Sequence, residues 1–209
     1  MELKEISEKE LKEKLELHRK WLNDEEGGVK LDLRNTNLKG ADLSNSDLSN
    51  ADLSDSDLRY ANLTNADLES VYLIGTDLRN ANLTNADLSL ANLSYADLSY
   101  ANLYEADLIY ADLSYANLYE ADLSKTEFYS TNLYKTKGNF VGVENIGSRN
   151  NTTHYFYNDN RIICGCFDGT MEEFKNEVKE TYEESSKEYK QYIIAIDTLK
   201  KLAELEGEE

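Results

Sequence analysis

The side chains best suited to catalysis or metal binding are few, and they lie outside the middle of the chain. The two cysteines, Cys164 and Cys166, are one residue apart, and the two histidines are His18 and His154. Cys164, Cys166 and His154 could supply at most three soft ligands to a metal such as zinc, and no fourth ligand follows in a closed spacing. In a strand, Cys164 would share a buried face with Ile162, because small thiols are commonly buried. The sequence therefore predicts packing here and no metal site.

Motifs typical of nucleotide-binding and nucleophilic enzymes are missing from the sequence. No GxGxxG stretch links a strand to a helix, no GxxxxGK stretch is followed by serine or threonine to hold phosphate, and no GxSxG elbow presents a serine. The serines of residues 31–135 have no histidine near them that could act as a base. We therefore predict no catalytic residue and no cofactor, and we interpret the protein as a non-enzyme.

A five-residue repeat dominates the middle of the sequence, where twenty-one copies run without a gap over residues 31–135. Leucine fills the third place of every copy except the one with Phe128, and a small residue usually fills the first. Five residues turn an α-helix by roughly 140°, which would scatter the leucines, and a straight strand would alternate them between its faces. The chain must therefore bend once per repeat, with Ala81 and Leu83 inward and Asn85 in the bend.

With the signature A(D/N)LXX, the repeat region resembles the pentapeptide-repeat proteins. The resemblance implies a mainly β fold, a right-handed quadrilateral β-helix in which four repeats make one coil, with about five coils in all. Neighbouring strands lie ~4.8 Å apart, so this solenoid would be on the order of 25 Å long. The fold hosts unrelated roles, so the resemblance by itself defines no function.

Changes of pattern divide the chain into three parts, which are an N-terminal segment (1–30), the repeats (31–135) and a small α+β C-terminal module (136–209). The N-terminal segment predicts an amphipathic helix that begins with a capping box of Ser7 and Glu10. A β-helix needs a polar cover over its first coil. We therefore interpret this helix as an N-terminal helical cap and not as a site.

The C-terminal module is predicted to form a hairpin followed by two helices. Strands are expected at 153–157 and 161–167, and a helix is expected to begin at Thr170, with Glu173 completing a capping box. The strings IGSRNNTTHYF and CGCFDGTMEEF in this module, and KLELHRKWLNDEEGG near the N-terminus, resemble the terminal modules of phage or prophage members of the family.

The last predicted helix covers residues 186–204, with Ser185 as its cap, and it has a broad apolar face. We expect this face to pack on the last coil near Phe128 and Leu133, or on its twin in a second chain. The protein would accordingly be either a monomer or a dimer through the C-terminal helix.

Composition favours a protein partner for this chain. The net charge is −19, from 41 acidic and 22 basic residues, which argues against direct binding of nucleic acid or anionic lipid and for a basic protein partner. No stretch approaches the ~20 apolar residues that would cross a membrane, and the N-terminus lacks a secretion signal. The expected location is the cytoplasm.

Acidic residues recur every twenty positions at the second place of the repeat. With four repeats per coil they should stack in one column, here called the acidic ladder, which consists of Asp47, Asp67, Asp87, Asp107 and Glu127. Residues 31–135 carry 17 acidic and 6 basic residues. Over the length of the solenoid this is about one net negative charge per 2.3 Å, against about one per 1.7 Å in duplex DNA.

Two explanations of this charge remain open. Some pentapeptide-repeat proteins act as DNA mimics that occupy the basic DNA-binding saddle of DNA gyrase, and this chain resembles them in shape and sign. Alternatively, the charge is a by-product of the fold. The second place is Asp twelve times and Asn seven times, which indicates that a short side chain bonding to nearby backbone is what the bend needs.

Aromatic and aliphatic residues cluster at outward places in the second half of the repeats. The candidate interaction surface consists of Leu90, Tyr95, Tyr100, Ile109, Tyr110 and Tyr115. An exposed surface of this kind is typical of protein interfaces, although stacked tyrosines could also simply stabilise the coil. The sequence therefore favours a non-catalytic interaction scaffold with an unidentified protein partner, and its alternative is an acidic DNA mimic that binds a type II topoisomerase or another basic protein.

Overall fold

The computed structural model describes residues 2–128, 130–138, 140–146, 151–156, 160–164 and 167–206. It separates the chain into two compact units, Met1–Gly138 and Asn139–Glu209. The first unit contains the strand β1 (Lys4–Glu5), the helix α1 (Glu8–Leu22), and the short strands β2 (Thr36–Asn37), β3 (Asn117–Leu118) and β4 (Lys137–Gly138).

A β-helical solenoid with a period of twenty residues forms most of the first unit. Parallel bridges join each second-place residue from Asp32 to Asp112 to the residue twenty positions later, and β3 pairs with β4 in the same register. The Leu83 N–H donates to the carbonyl of Asn102 at 2.7 Å, and such bonds recur from coil to coil. Four repeats therefore make one coil, as the resemblance implied.

Each repeat ends in a bend whose last residue has a positive φ. The Ala86 N–H donates to the Leu83 carbonyl at 3.0 Å across the bend, and Asn85 between them has φ 56°. A positive φ at the third residue of a hydrogen-bonded turn is the signature of type II and favours Gly or Asn. The angle φ is positive at every fifth-place residue from Asn35 to Lys135. The sequence analysis predicted the bend but not this conformation.

Leucine and alanine fill the interior of the coil, as the repeat predicted. Ala81 and Leu83 are buried, and Asn82 between them is exposed. Hydroxyl groups at buried first places are satisfied by the backbone, since Thr76 donates through Oγ1 to the Leu53 carbonyl at 3.0 Å. Among the described residues, the buried side-chain nitrogen and oxygen atoms all have hydrogen-bond partners, as a stable interior requires.

A fully buried histidine ties the N-terminal helix to the first coils. His18 is fully buried, where its Nδ1 accepts from the Leu31 N–H at 3.1 Å and its Nε2 lies 3.1 Å from the Ser49 carbonyl. Ser7 caps α1 by accepting from the Glu10 N–H at 3.2 Å.

A short strand precedes this helix, which the sequence-based account of residues 1–30 missed. β1 pairs in parallel with β2, with Lys4 opposite Thr36 and Glu5 opposite Asn37. A two-residue strand has no periodicity of its own, so only the pairing reveals it.

The second unit contains a four-stranded antiparallel sheet with two helices. The sheet order is β5 (Phe140–Ile146), β6 (Asn151–Phe156), β7 (Arg161–Cys164) and β8 (Phe167–Thr170), followed by α2 (Met171–Thr181) and α3 (Lys187–Glu206). The prediction of a single hairpin was therefore incomplete. The first strand, FVGVENI, was missed because glycine and polar residues interrupt its alternation.

The caps of these two helices differ in how well the sequence located them. The predicted capping box at α2 is confirmed, because Thr170 accepts from the Glu173 N–H while Glu173 accepts from the Thr170 N–H. The predicted cap of α3 was wrong by one residue. The hydroxyl of Ser186, and not Ser185, accepts from the Tyr189 N–H at 3.1 Å, and adjacent serines in a loop cannot be told apart by pattern alone.

The apolar face of α3 packs within its own module. Tyr192, Ile196 and Leu199 are buried in one cluster with Ile162 of β7 and Phe174 of α2. The expectation that this face would cover the last coil or a second chain was therefore wrong for these residues. The missing strands of the sheet explain the error, because a hairpin alone leaves too little surface to bury such a face.

Burial of His154 on β6 makes the C-terminal module sensitive to acid. Loss of water contact lowers the pKa of His154 from 6.5 to about 4. The unfolded module therefore binds the proton more readily, and the stability present above pH 6.5 is lost as the pH falls towards 4. The difference between the two pKa values of His154 corresponds to about 3 kcal/mol in the free energy of unfolding.

We expect the urea concentration at the midpoint of unfolding of this module to fall between pH 6.5 and pH 4. Hydrogen exchange in peptides from Arg161–Cys164 and α2 measures this midpoint. The variant His154→Leu should lose most of that dependence, whereas peptides from the repeats serve as the internal reference. An equal pH dependence in both proteins would contradict the assignment.

Candidate functional site

His154 and Cys164 of the C-terminal module do not converge on a common site. In the register of β6 and β7, Thr153 lies opposite Cys164 and His154 lies opposite Ile163. Neighbouring residues of a strand face opposite sides of a sheet, so His154 and Cys164 face different sides. Cys164 is buried in the core, and Cys166 lies outside the described residues. Among the residues that the structure describes, no group of three or more His, Cys, Asp or Glu could hold a metal ion.

The acidic ladder forms one continuous column in the repeat domain. Parallel bridges join Asp47 to Asp67, Asp67 to Asp87, Asp87 to Asp107, and Asp107 to Glu127. None of the ion pairs between described residues involves any of these five side chains. Neighbouring charges at a strand spacing of ~4.8 Å repel by about 1 kcal/mol in water, so the column is a strip of uncompensated negative charge.

Local hydrogen bonds explain why the second place needs a short oxygen-bearing side chain. The Oδ1 atom of Asp87 accepts from the Ser89 N–H at 2.9 Å, and the Oδ1 atom of Asp107 accepts from the Ile109 N–H at 2.7 Å. Asn82 makes the same bond to the Thr84 N–H at 3.1 Å. An amide therefore serves the bend as well as a carboxylate does, and the fold does not require the charge of the acidic ladder.

A second acidic column, two repeats further along each coil, has arginines paired with its carboxylates. Arg59 donates through Nη2 to Asp57 at 2.5 Å and lies 3.5 Å from Asp77 in the next coil. Arg79 likewise lies 2.6 Å from Asp77 and 3.9 Å from Asp97. The hydrogen bond from Arg59 lowers the pKa of Asp57. Sequence spacing did not reveal this pairing, because the arginine and aspartate are two residues apart and meet only through the bend.

The candidate interaction surface is divided over three bend columns, each made of fifth-place residues twenty positions apart. Tyr95 and Tyr115 lie in one column, Tyr100 lies in a second, and Leu90 and Tyr110 lie in a third. All five are exposed, and Ile109 beside Tyr110 is half-buried. The structure thus does not bring the six residues into one patch.

Tyr95 and Tyr115 form the centre of an aromatic cluster. Their rings are stacked, as the twenty-residue spacing predicts, with centroids 4.8 Å apart and an angle of 3°. Tyr134 meets Tyr115 edge-on at 5.6 Å, and the ammonium group of Lys135 lies 5.3 Å from the Tyr115 centroid. Sequence reasoning did not include this lysine in the surface, although its position twenty residues after Tyr115 was a usable signal.

Tyrosine is a poor choice for these bends on local grounds. Tyr60, Tyr95, Tyr100, Tyr110 and Tyr115 all have φ near 60°. The left-handed conformation costs an ordinary L-residue roughly 1–2 kcal/mol, and Asn and Asp lower this cost by bonding to nearby backbone. The tyrosine hydroxyl is separated from its own backbone by a rigid ring, so this residue type lacks the short-range stabilisation that Asn and Asp obtain. Its repeated use, where Asn or Gly fits better, indicates that the side chains serve a purpose beyond forming the bend.

A further aromatic cluster near the N-terminus was not predicted. The Lys30 ammonium lies 5.7 Å from the Trp21 ring and 5.6 Å from the Tyr72 ring. Tyr72 is the one aromatic residue at a second place of the repeat, and this irregularity was the available signal. The contacts link α1, the residue just before the first coil and the third side chain of the column that begins with Asp32, so we assign them to stability.

The repeats of this chain match a known protein-family model. A model of pentapeptide repeats matches in eight copies, over residues 32–69, 72–108 and 101–137. The chain belongs to the pentapeptide-repeat family. No curated protein sequence matches it.

Solved pentapeptide-repeat structures resemble part of the chain. A protein from the Arabidopsis thaliana thylakoid lumen is 32% identical over 44% of this chain and 65% of its own, with a TM-score of 0.43. Rfr23 from the cyanobacterium Cyanothece 51142 is 35% identical over 44% of this chain and 60% of its own, with a TM-score of 0.38. This pentapeptide-repeat chain therefore spans less than two thirds of either relative. QnrB1, a plasmid-mediated fluoroquinolone resistance protein, is 21% identical over 53% of this chain and 72% of its own, with a TM-score of 0.20.

No helix in the described part of this pentapeptide-repeat protein is both long enough and apolar enough to cross a bilayer.

Proposed function

We propose that this pentapeptide-repeat protein is a non-catalytic scaffold that binds a protein partner through the Tyr-rich second half of its repeats. The supporting observation is the set of exposed tyrosines at left-handed bends, where Asn or Gly would be favoured. Tyrosine and other aromatic side chains are enriched in interfaces because they offer much contact area for little entropy loss. Tyr95, whose ring stacks on that of Tyr115, is the most exposed residue of this surface.

Finer expectations accompany this function. We place the protein in the cytoplasm, without a cofactor, and we take its solenoid to be right-handed and four-sided, as in the family. The phage or prophage character of the terminal modules also stays a prediction. Monomer and dimer both remain compatible with a scaffold, because α3 still exposes Ile194.

The first test is capture of a partner from a lysate of the source cell at low and high salt. We expect wild type to retain a defined protein at high salt, because apolar contact is not screened. The double variant Tyr95→Ser with Tyr115→Ser should lose about tenfold or more of it. Ser70 and Ser130 already occupy such bends, so the fold should persist.

Tyr60→Ser is the matched control, because Tyr60 is also an exposed bend tyrosine but lies in the first half of the repeats. This variant should capture as much partner as wild type. Undiminished capture by the double variant would reject the Tyr95 and Tyr115 surface.

The second candidate function is DNA mimicry towards a type II topoisomerase or another basic DNA-binding protein. The observation that favours it is the acidic ladder without ion pairs among the described residues. The test is inhibition of DNA gyrase supercoiling at moderate salt. If this function holds, wild type should inhibit, and Asp67→Asn with Asp87→Asn and Asp107→Asn should abolish inhibition by removing the charge that a basic saddle binds.

We expect no inhibition by wild type, because the bend already explains a short Asp side chain at the second place, whereas it does not explain the exposed tyrosines. Neutralising Asp42, Asp112 and Asp122 instead gives a control of equal net charge from other columns. Clear inhibition by wild type, lost in the ladder variant and kept in the control, would establish mimicry in place of the scaffold.

A further inference from the structure

An apolar edge runs beside the acidic ladder on the repeat domain. Leu90 and Tyr110 follow Asp87 and Asp107 by three residues each, at the next bend. They are 53% and 55% exposed. Ile109 links the two features, because its N–H donates to Oδ1 of Asp107 while its side chain stays half-exposed. A short apolar stripe, two coils long and bounded by Ser70 and Ser130, therefore lies beside the middle of the acidic ladder.

The distance between the stripes fits one α-helix. Three residues of chain span at most ~10 Å, and the bend shortens this. An α-helix with its side chains is about 10–12 Å across. A helix that lies along the coil axis would therefore touch the acidic ladder with one side and the side chains of Leu90 and Tyr110 with the other.

The spacing along the stripes also fits a helix better than a strand. The rungs of the acidic ladder are ~4.8 Å apart, so four intervals from Asp47 to Glu127 span about 19 Å. One basic residue per helical turn would span about 22 Å over four turns, a difference that flexible Lys and Arg side chains can absorb. Basic residues on one face of a strand would span about 27 Å and lose register.

We propose that these two stripes form a docking surface for one basic, amphipathic α-helix of a partner protein. The Lys or Arg stripe of that helix lies along the acidic ladder, and its neighbouring apolar stripe packs on Leu90, Ile109 and Tyr110. Charge complementarity selects this occupant, since none of the ion pairs between described residues uses the ladder carboxylates. The inference rests on the proposed scaffold function and names the class of its partner.

The test uses the full chain and synthetic peptides in place of the unidentified partner. The probe is a labelled peptide of about sixteen residues, which holds five basic residues at one per turn and leucines on the adjacent stripe. A peptide of the same composition in shuffled order keeps the charge without the stripes. A third peptide alternates lysine and valine and favours an extended conformation. Binding is followed by fluorescence anisotropy at about 0.15 M salt.

Two variants and one control locate the binding surface. Asp67→Asn with Asp87→Asn and Asp107→Asn removes the central rungs, and Leu90→Ser with Tyr110→Ser removes the apolar stripe. The control neutralises Asp42, Asp112 and Asp122 in other columns. Thermal unfolding verifies that each variant stays folded, which the presence of Asn and Ser at equivalent places supports.

We expect wild type to bind the amphipathic peptide at least about tenfold more tightly than the shuffled one, and each docking-surface variant to lose about tenfold. The charge control should lose less than about threefold. Equal binding of the shuffled peptide, tighter binding of the extended peptide, an equal loss in the control, or no binding at all would overturn the helix-docking surface.

Capture from the lysate distinguishes a failure of the helix-docking surface from a failure of the scaffold function. If the peptides fail to discriminate while capture still depends on Tyr95 and Tyr115, the helix-docking surface is wrong and the scaffold stands. If the peptide result holds while capture is independent of these tyrosines, the Tyr-based surface is wrong and the partner binds at the acidic ladder.

Discussion

Replacing Leu83 with aspartate is expected to unfold the repeat domain. Leu83 is fully buried in the middle of the coil, and its N–H bonds to the next coil at Asn102. A buried carboxylate without a partner costs several kcal/mol, which is a large part of the 5–15 kcal/mol by which typical domains are stable. We expect far-ultraviolet circular dichroism to show loss of cooperative thermal unfolding for Leu83→Asp.

The matched control is Asn85→Asp, two residues further on. Asn85 is exposed in the bend with φ 56°, and Asp55 already occupies such a bend with φ 58°. Aspartate also tolerates the left-handed region, so the change should cost under ~0.5 kcal/mol. Equal melting temperatures for the two variants would refute the assignment of inward and outward places.

Truncation of His18 to alanine is expected to detach α1 from the first coils. Because Nδ1 accepts from the Leu31 N–H, the neutral ring carries its proton on Nε2 and donates it to the Ser49 carbonyl. His18→Ala leaves both backbone groups buried and unpaired, each at about 1–3 kcal/mol, and opens a cavity in addition. Hydrogen exchange in peptides from Glu8–Leu22 should become faster by at least about a hundredfold.

Leu17→Ala is the control for this variant, because Leu17 is the neighbouring residue and its side chain is exposed. Exchange in α1 should change little in that protein. Similar protection of α1 in His18→Ala and wild type would show that the histidine does not hold the helix.

Acid should have the same effect on α1 as the loss of His18. Burial lowers the pKa of His18, while the Ser49 carbonyl and the charge of Asp47 act in the opposite direction and Lys30 acts with burial. A detached helix binds the proton more readily, so docking is stabilised above pH ~6.5 and weakened as the pH falls below it. The pH dependence of exchange in α1 should be absent from His18→Ala.

The repeat domain could be read from the sequence because its contacts are periodic. In each coil the third place of a repeat faces inward, as Leu83 does, and the second place lies on the outer side, as Asn82 does. The period of twenty residues places Asp67 beside Asp87 and Tyr95 beside Tyr115. Each coil repeats the environment of the previous one, so a single local rule determines the burial of the whole domain.

The C-terminal module could be read only in part. The capping box of Thr170 and Glu173 was found because it depends on four consecutive residues. The partner of α3 was not found, because Tyr192 and Ile196 pack on a sheet whose first strand has no clear alternation. Non-periodic contacts of this kind depend on which strands pair, and a linear pattern does not contain that information.

The sequence alone determined the solenoid, its inward and outward places and the acidic ladder, because a fixed repeat leaves one way to bury leucine. Only the tertiary structure decided which charges remain uncompensated and which aromatic residues share a surface. Arg59 meets Asp57 and Asp77, whereas the ladder lies on a side without arginine. Such pairings depend on how side chains leave a bend and on long-range contacts, as in the burial of His18, and these arise only when distant parts of the chain pack together.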